Sequence, residues 1–311
     1  ADQGTDGGEL VARRALVTTG KKVAVIGSGP AGLACAQELA RAGHVVTVLE
    51  RDDRAGGLLR YGIPDFKLEK SIVDRRVRQM QAEGVAFRLG IDVGRDVTLA
   101  ALRAEHDAVV IATGVAVARE LPIPGRALGG VHLAMEYLVE ENRVVAGDAI
   151  AAGARIDARG RDVVVLGGGD TGSDCVGTAH RQGARSVTQI ELLPRPPDVR
   201  AEETPWPRWP LVMRTSSSQE EGGSREFAFM TKALVGGDGG RVRALRGIEV
   251  EWDTARRRFD ERLGTEREIP CDLLLLALGF TGPEASTWAG TELAMDPRGN
   301  VAATAERFVT S

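Results

Sequence analysis

Apolar positions along this chain fall into short unbroken runs rather than alternating ones, and the most telling runs come in two matched sets. Residues 23–26 are small or β-branched and apolar throughout, as a strand covered on both faces must be. A glycine turn follows, then residues 33–42 with helix-forming composition, then Gly43 as a stop signal. A second apolar strand at 45–49 ends in Glu50. The same order returns 140 residues later, with a strand at 163–166, a glycine turn, a helical stretch, and a strand closed by Glu191. Further buried strands are predicted at 108–112, ending in Thr113-Gly114, and at 273–278, ending in Gly279. Strands alternating with helices, and reading mostly as continuous apolar runs, predict parallel sheets with helices on both faces.

The remaining pattern is less regular. Residues 1–20 are glycine-rich and polar and read as an arm, and 51–70 read as a loop with glycines at 56, 57 and 62 and Pro64. Residues 71–83 have helical periodicity, with Ile72, Val73, Val77 and Met80 on one side, and 87–89 a short strand. LPIPG at 121–125 predicts a turn and a crossover. The Pro-, Ser- and Trp-rich stretch from 193 to 227 predicts an ordered insertion, with Trp206, Trp209 and Met213 packing on a surface. Residues 243–252 and 257–262 predict antiparallel strands around a turn near Asp253.

The chemistry lies in the glycine turns. Gly27, Gly29 and Gly32 form G-x-G-x-x-G with Pro30 and Ala31 between. The first glycine permits a tight turn, the second a close approach of backbone to a pyrophosphate, the third close packing of helix on strand. The ligand's charge is favoured by the unpaired amides and dipole at the helix start. Glu50, 23 residues after Gly27, stands where a carboxylate accepts from ribose hydroxyls. In the second copy, Gly167, Gly169 and Gly172 enclose Asp170 and Thr171, and Glu191 follows Gly167 by 24 residues. A charged Asp170 is unfavourable beside a pyrophosphate, so it is expected to accept a hydrogen bond from a loop amide or ribose. Glu191 favours NAD, whereas Arg181, Arg185 and Arg195 offer partners to a 2′-phosphate, so NADPH and NADH both stay open here. Two such sites on one chain point to electron transfer between a pyridine nucleotide and a flavin.

Composition narrows the alternatives. The 311 residues suffice for two domains. A net charge of −4 gives no sign of nucleic-acid binding. Cys35, Cys175 and Cys271 are far apart, with no C-x-x-C, which excludes a redox dithiol and predicts reduced structural thiols of a cytoplasmic protein. The histidines at 44, 106, 132 and 180 lack metal-ligand spacing, and no apolar run approaches the roughly 20 residues of a membrane span.

From residue 21 onward the motifs GSGPAGL, ERDDRAGGLLRYGIPDFKLEK, GGGDTGSDCVGTAHRQGA, TPWPRWPLVMRTSSSQEEGGSREF and LALGFTGPE resemble the family of bacterial glutamate synthase small (β) subunits. The tryptophan-serine insertion sets that family apart from stand-alone NADPH:ferredoxin oxidoreductases with the same two sites. The resemblance implies an α/β fold of two Rossmann-like domains, the second inserted in the first. An FAD domain would span 21–125 plus 283–311, and an NAD(P)H domain 150–282. Gly27 to Gly32 and Glu50 would hold FAD, with Gly57, Leu58, Arg60 and Ile63 along the flavin, and Thr113 and Gly114 approaching from the strand end. Gly167 to Gly172 would hold NADPH, with Arg195 nearby and Gly279 near the junction. The implied reaction passes hydride from NADPH to FAD, then electrons through iron–sulfur clusters to a large subunit that makes glutamate. No side-chain nucleophile is needed. The family's cysteine-rich N-terminal domain and closing Gly-Asp strand do not occur in these 311 residues. The alternative expectation is therefore a shortened, FAD-poor chain serving as a nucleotide-binding interaction module.

Overall fold

A computed structural model describes residues 11–310 apart from 152, 203, 209–210, 289–290, 298 and 305–309. In chain order the elements are β1 (Lys22–Ile26), α1 (Pro30–Arg41), β2 (Val45–Glu50), α2 (Leu58–Tyr61), α3 (Lys70–Glu83), β3 (Ala86–Leu89), α4 (Leu99–Glu105), β4 (Ala108–Ile111) and β5 (Val117–Ala118). There follow β6 (Val131–Leu133), α5 (Ala134–Val145), β7 (Asp162–Leu166), α6 (Asp170–Gln182), β8 (Ser186–Ile190), α7 (Ser217–Glu220) and β9 (Ser224–Glu226). The last strands are β10 (Phe229–Gly236), β11 (Val242–Asp253), β12 (Arg258–Glu261), β13 (Arg267–Pro270), β14 (Leu273–Leu276) and β15 (Phe280–Gly282). The chain divides into two compact units, residues 1–118 with 280–311, and residues 119–279.

In the first unit β3-β2-β1-β4 form a parallel sheet. Alternate residues of one buried run serve opposite cores, which is why the run carries no polar position. Val23 and Val25 of β1 join Leu33, Ala36, Val46, Val48 and Met80 on one face. Ala24 and Ile26 join Leu49, Leu99, Leu102 and Trp288 on the other. Helix α1 starts where Pro30 takes the first helical position, which suits a residue with no N–H to satisfy. Helix α3 stops at Gly84, in a left-handed conformation.

The second unit repeats the plan with a five-stranded parallel sheet, β6-β14-β7-β8-β9. All four leucines of β14 are at most 3% exposed, each stabilising the unit by about 1.5–3 kcal/mol. Leu273 and Leu275 face Tyr137, Cys175 and Val187. Leu274 and Leu276 face Phe229, Leu245 and Ile269, which lie on an antiparallel sheet of β10 to β13.

Several elements differ from the sequence reading. The loop at 51–70 contains the single-turn helix α2, and β6, α4, α5, β10 and β13 were not anticipated. The chain leaves the first unit after Ala118 and returns at Phe280, against the expected 125 and 283. Trp206 does not pack. It is 84% exposed, in a turn closed by the Arg208 amide donating to the Pro205 carbonyl at 2.9 Å. Met213 is half-buried and its amide donates to Pro197, and Trp209 lies outside the described residues.

Candidate functional site: two glycine turns built alike

Each unit presents its turn at the carboxyl end of its central strands. The Gly27 amide donates to Leu49 O and the Gly167 amide to Ile190 O, both at 2.8 Å, so each turn leaves its strand still tied to the neighbouring one. Both first glycines have positive φ, +101° and +121°. A Cβ on Gly27 would lie 2.5 Å from Ala112 O and 3.2 Å from Thr113 Cα, and one on Gly167 would strike Ala277 O. No other residue fits either position. Gly32 and Gly172 rest on the carbonyls of Gly27 and Gly167, where a Cβ would collide with the oxygen. The middle glycines are different. A Cβ on Gly29 or Gly169 meets no protein atom within 4 Å. Each faces an open cradle at a helix N-terminus, and the amides of Gly29, Ala31, Gly32, Gly169, Thr171 and Gly172 have no partner among the described residues. Such a cradle is the complement of a pyrophosphate.

A carboxylate clamps each turn in the same way. Glu50 Oε2 accepts from the Ser28 amide (2.9 Å) and Oγ (2.5 Å), and its Oε1 from the Asp52 amide (3.0 Å). Glu191 Oε2 accepts from the Gly168 amide (2.6 Å) and its Oε1 from the Leu193 amide (3.2 Å). The two acids therefore set the turns and keep only their remaining lone pairs for a ribose. Glu50 is buried and Glu191 half-buried. A Cβ on Gly168 would lie 2.4 Å from Glu191 Oε2, so a side chain there would require the carboxylate to shift.

In the first unit, Ser28 Oγ also accepts from the Gly56 amide at 2.9 Å, which ties the loop to the turn. Gly57, at φ +51°, packs on Gly29, with a Cβ only 2.9 Å from Gly29 Cα. Leu58 is 48% exposed beside it. Arg60 is buried, donates to Ala55 O at 2.7 Å and pairs with Asp74. The Ile63 carbonyl takes Lys70 Nζ at 2.7 Å. Arg60 and Ile63 thus hold the loop's own shape. Thr113 abuts Gly27, and Gly114 continues exposed at φ +68°.

In the second unit, Asp170 and Thr171 open α6. Asp170 is exposed and accepts no loop amide among the described residues, which leaves a ribose hydroxyl as its expected donor. Its place in the first helical turn favours its charge. Two arginines proposed for a 2′-phosphate are removed by geometry. Arg181 is in the last turn of α6, about 17 Å along the helix from the cradle, bonded to Glu221 at 2.5 Å. Arg185 precedes β8 and pairs with Asp162 and Asp272 at the amino end of the strands, opposite the glycine turn. Arg195 follows β8, exposed and 2.6 Å from Asp198. It has an unanticipated neighbour in Arg225 of β9, which donates to Arg214 O at 2.9 Å and lies over Phe227. Burial and the Arg195 charge push the Arg225 guanidinium below its ordinary pKa. Gly279 leaves the unit at φ +79°, its carbonyl accepting from Arg119 N.

Other chemistry is thinly represented. Among the described residues no group of three His, Cys, Asp or Glu is placed to hold a metal, and no helix is long and apolar enough to cross a membrane. Cys175 and Cys271 are buried, and burial pushes the Cys271 thiol up to about 12.

Residues 21–205 match the family model described as pyridine nucleotide-disulphide oxidoreductase. The chain is 54% identical over 305 residues to a glutamate synthase [NADPH] small chain of Mycobacterium tuberculosis, covering 97% of this chain and 62% of that one. It is 39% identical to a putative glutamate synthase [NADPH] small chain of Cereibacter sphaeroides, covering 100% of this chain and 73% of the relative. Among solved structures it resembles Mycobacterium tuberculosis FprA in complex with NADPH, at 19% identity and a TM-score of 0.69, covering 93% of this chain and 76% of that one. At that identity the likeness is one of fold.

Proposed function

We propose, since the chain belongs to the pyridine nucleotide-disulphide oxidoreductase family and within it to the glutamate synthase small chains, that it oxidises NADPH at the second unit and reduces FAD at the first. The electrons would go to a glutamate synthase large subunit or to an iron–sulfur protein. The chain spans 62% of the length of its Mycobacterium tuberculosis relative.

The observation that carries the reading is the duplicated turn: two open cradles, each closed from behind by a glutamate that holds the turn amide and the amide two residues beyond itself. FAD in the first cradle would supply a hydride acceptor able to release electrons singly. The protein's share is to bind and orient. The helix-start amides of α1 and α6 take pyrophosphate charge, Glu50 and Glu191 keep those amides aimed, and Gly57 brings the loop against the first turn. The paired positive charges of Arg195 and Arg225 beside Glu191 favour a coenzyme with a 2′-phosphate.

The test is the visible spectrum of the purified chain after incubation with FAD, before and after anaerobic NADPH. A flavin spectrum that bleaches is expected. A chain that stays colourless overturns the flavin half of the reading, and a bound flavin that NADPH leaves oxidised overturns the other half.

A further inference from the structure

The RTSSSQEEGG stretch at 214–223 contains no group that the electron-transfer reading uses, yet its side chains reach the second glycine turn. Ser216 precedes α7, and its amide donates to Gln219 Oε1 at 2.8 Å. Gln219 Nε2 donates to Gln189 Oε1 at 2.7 Å, and Gln189 Nε2 donates to the Gly167 carbonyl at 2.8 Å. Ser216 Oγ lies 2.5 Å from Ser173 Oγ on α6, and Arg181 and His180 of the same helix bond Glu221 and the Gly222 carbonyl.

Gln189 is 3% exposed within a buried strand. Its counterpart in the first unit, two residues before the clamping glutamate, is Val48, also buried. An amide in that place is costly unless both its ends are bonded, and here both are. What it bonds matters more. The peptide between Gly167 and Gly168 is planar. Its N–H is held by Glu191 and its C=O by Gln189, so the plane cannot rotate. In the first unit the corresponding plane is held through the Ser28 amide and hydroxyl, and the second turn, with glycine at 168, has no hydroxyl. Gly172 leaves room for the arrangement, since a Cβ there would lie 2.8 Å from Gln189 Nε2.

We propose that Gln189 is a positioning residue for the pyridine-nucleotide turn, and that the 214–221 segment is the strut holding its amide against the Gly167 carbonyl. The proposal rests on the reading that the second unit binds NADPH. Its function is to aim the cradle amides at the pyrophosphate, so its loss weakens that part of the ligand selectively.

The test compares two probes by calorimetric titration of the whole chain: ADP-ribose, which has the pyrophosphate, and adenosine 2′-monophosphate, which lacks it. Gln189→Leu is expected to weaken ADP-ribose about tenfold and adenosine 2′-monophosphate less than about twofold. Gln219→Ala, at the half-exposed end of the strut, is expected to move the same ratio in the same direction by about threefold. Unchanged ADP-ribose affinity, or equal loss for both probes, overturns the proposal. If Gln189→Leu does not fold, Gln219→Ala decides by the same ratio. A wild-type chain that binds neither probe overturns the NADPH reading itself, and this proposal with it.

Discussion

Replacing Glu50 with Gln changes one oxygen into an amide nitrogen and removes a charge, leaving side-chain size unchanged. In the native turn the carboxylate accepts three hydrogen bonds, two from Ser28 and one from the Asp52 amide, at a site 6% exposed. Gln accepts on one side only, so its NH₂ confronts either the Ser28 donors or the Asp52 amide. A hydrogen bond to a charged group contributes about 1.5–3 kcal/mol, and a buried donor left unmet costs about 1–3 kcal/mol. Some of this returns as Ser28 Oγ turns to another acceptor, so a net cost of about 2 kcal/mol to the ordered turn is expected, or roughly 30-fold in FAD dissociation constant. Glu191→Gln has two amide bonds at a half-buried site and is expected to cost about 1 kcal/mol, or roughly fivefold, in NADP⁺ affinity. Fluorescence titration of each variant with FAD and with NADP⁺ gives four numbers. Each variant should lose affinity for its own unit's ligand and keep the other within about twofold. If Glu50→Gln binds FAD like the native chain, or both variants lose the same ligand, the clamp argument is wrong.

Gly169→Ala meets no protein atom, so its melting curve should match the native one while NADP⁺ affinity falls about tenfold or more; a Cβ tolerated by the ligand would appear as unchanged affinity. Gly57→Ala combines a positive φ with a 2.9 Å approach to Gly29 and should destabilise the first unit by roughly 1–3 kcal/mol, read by urea unfolding and by loss of FAD. Acid should loosen the first unit through Glu83. Burial alone would raise this carboxyl, but hydrogen bonds from Arg41, Gln37, the Arg13 amide and Gln79 outweigh it and hold it at about 2. A depressed folded pKa means stabilisation present above the ordinary carboxyl range and lost as pH falls from about 5 toward 2, a contribution on the order of 3 kcal/mol that Glu83→Gln should remove from the pH profile.

The sheets and turns were legible because they follow from local rules. A strand buried on both faces favours apolar residues, and a turn pressed against Ala112 or Ala277 admits only glycine. The elements missed are those whose pattern is short or set by distant partners. Three-residue β6 exists through its pairing with β14, and single-turn α2 through the loop that Arg60 and Lys70 fasten. Arg181 and Arg185 were misplaced because proximity in sequence ignores direction: a helix carries one to its far end, and the next strand starts from there. The one cue to the strut was the glutamine in SVTQI at 186–190, where the matching strand of the first unit has Val48, and sequence alone names no partner for it.

The chain enters and leaves the second unit at one place. Val117–Ala118 pairs antiparallel with Phe280–Gly282, and the next residues inward, Arg119 and Gly279, share a 2.9 Å hydrogen bond. Tension applied along the polypeptide therefore passes across this ribbon instead of through the strands it encloses. The second unit is mechanically bypassed until the ribbon unzips, and with its two ends this close it is a natural module for excision or circular permutation.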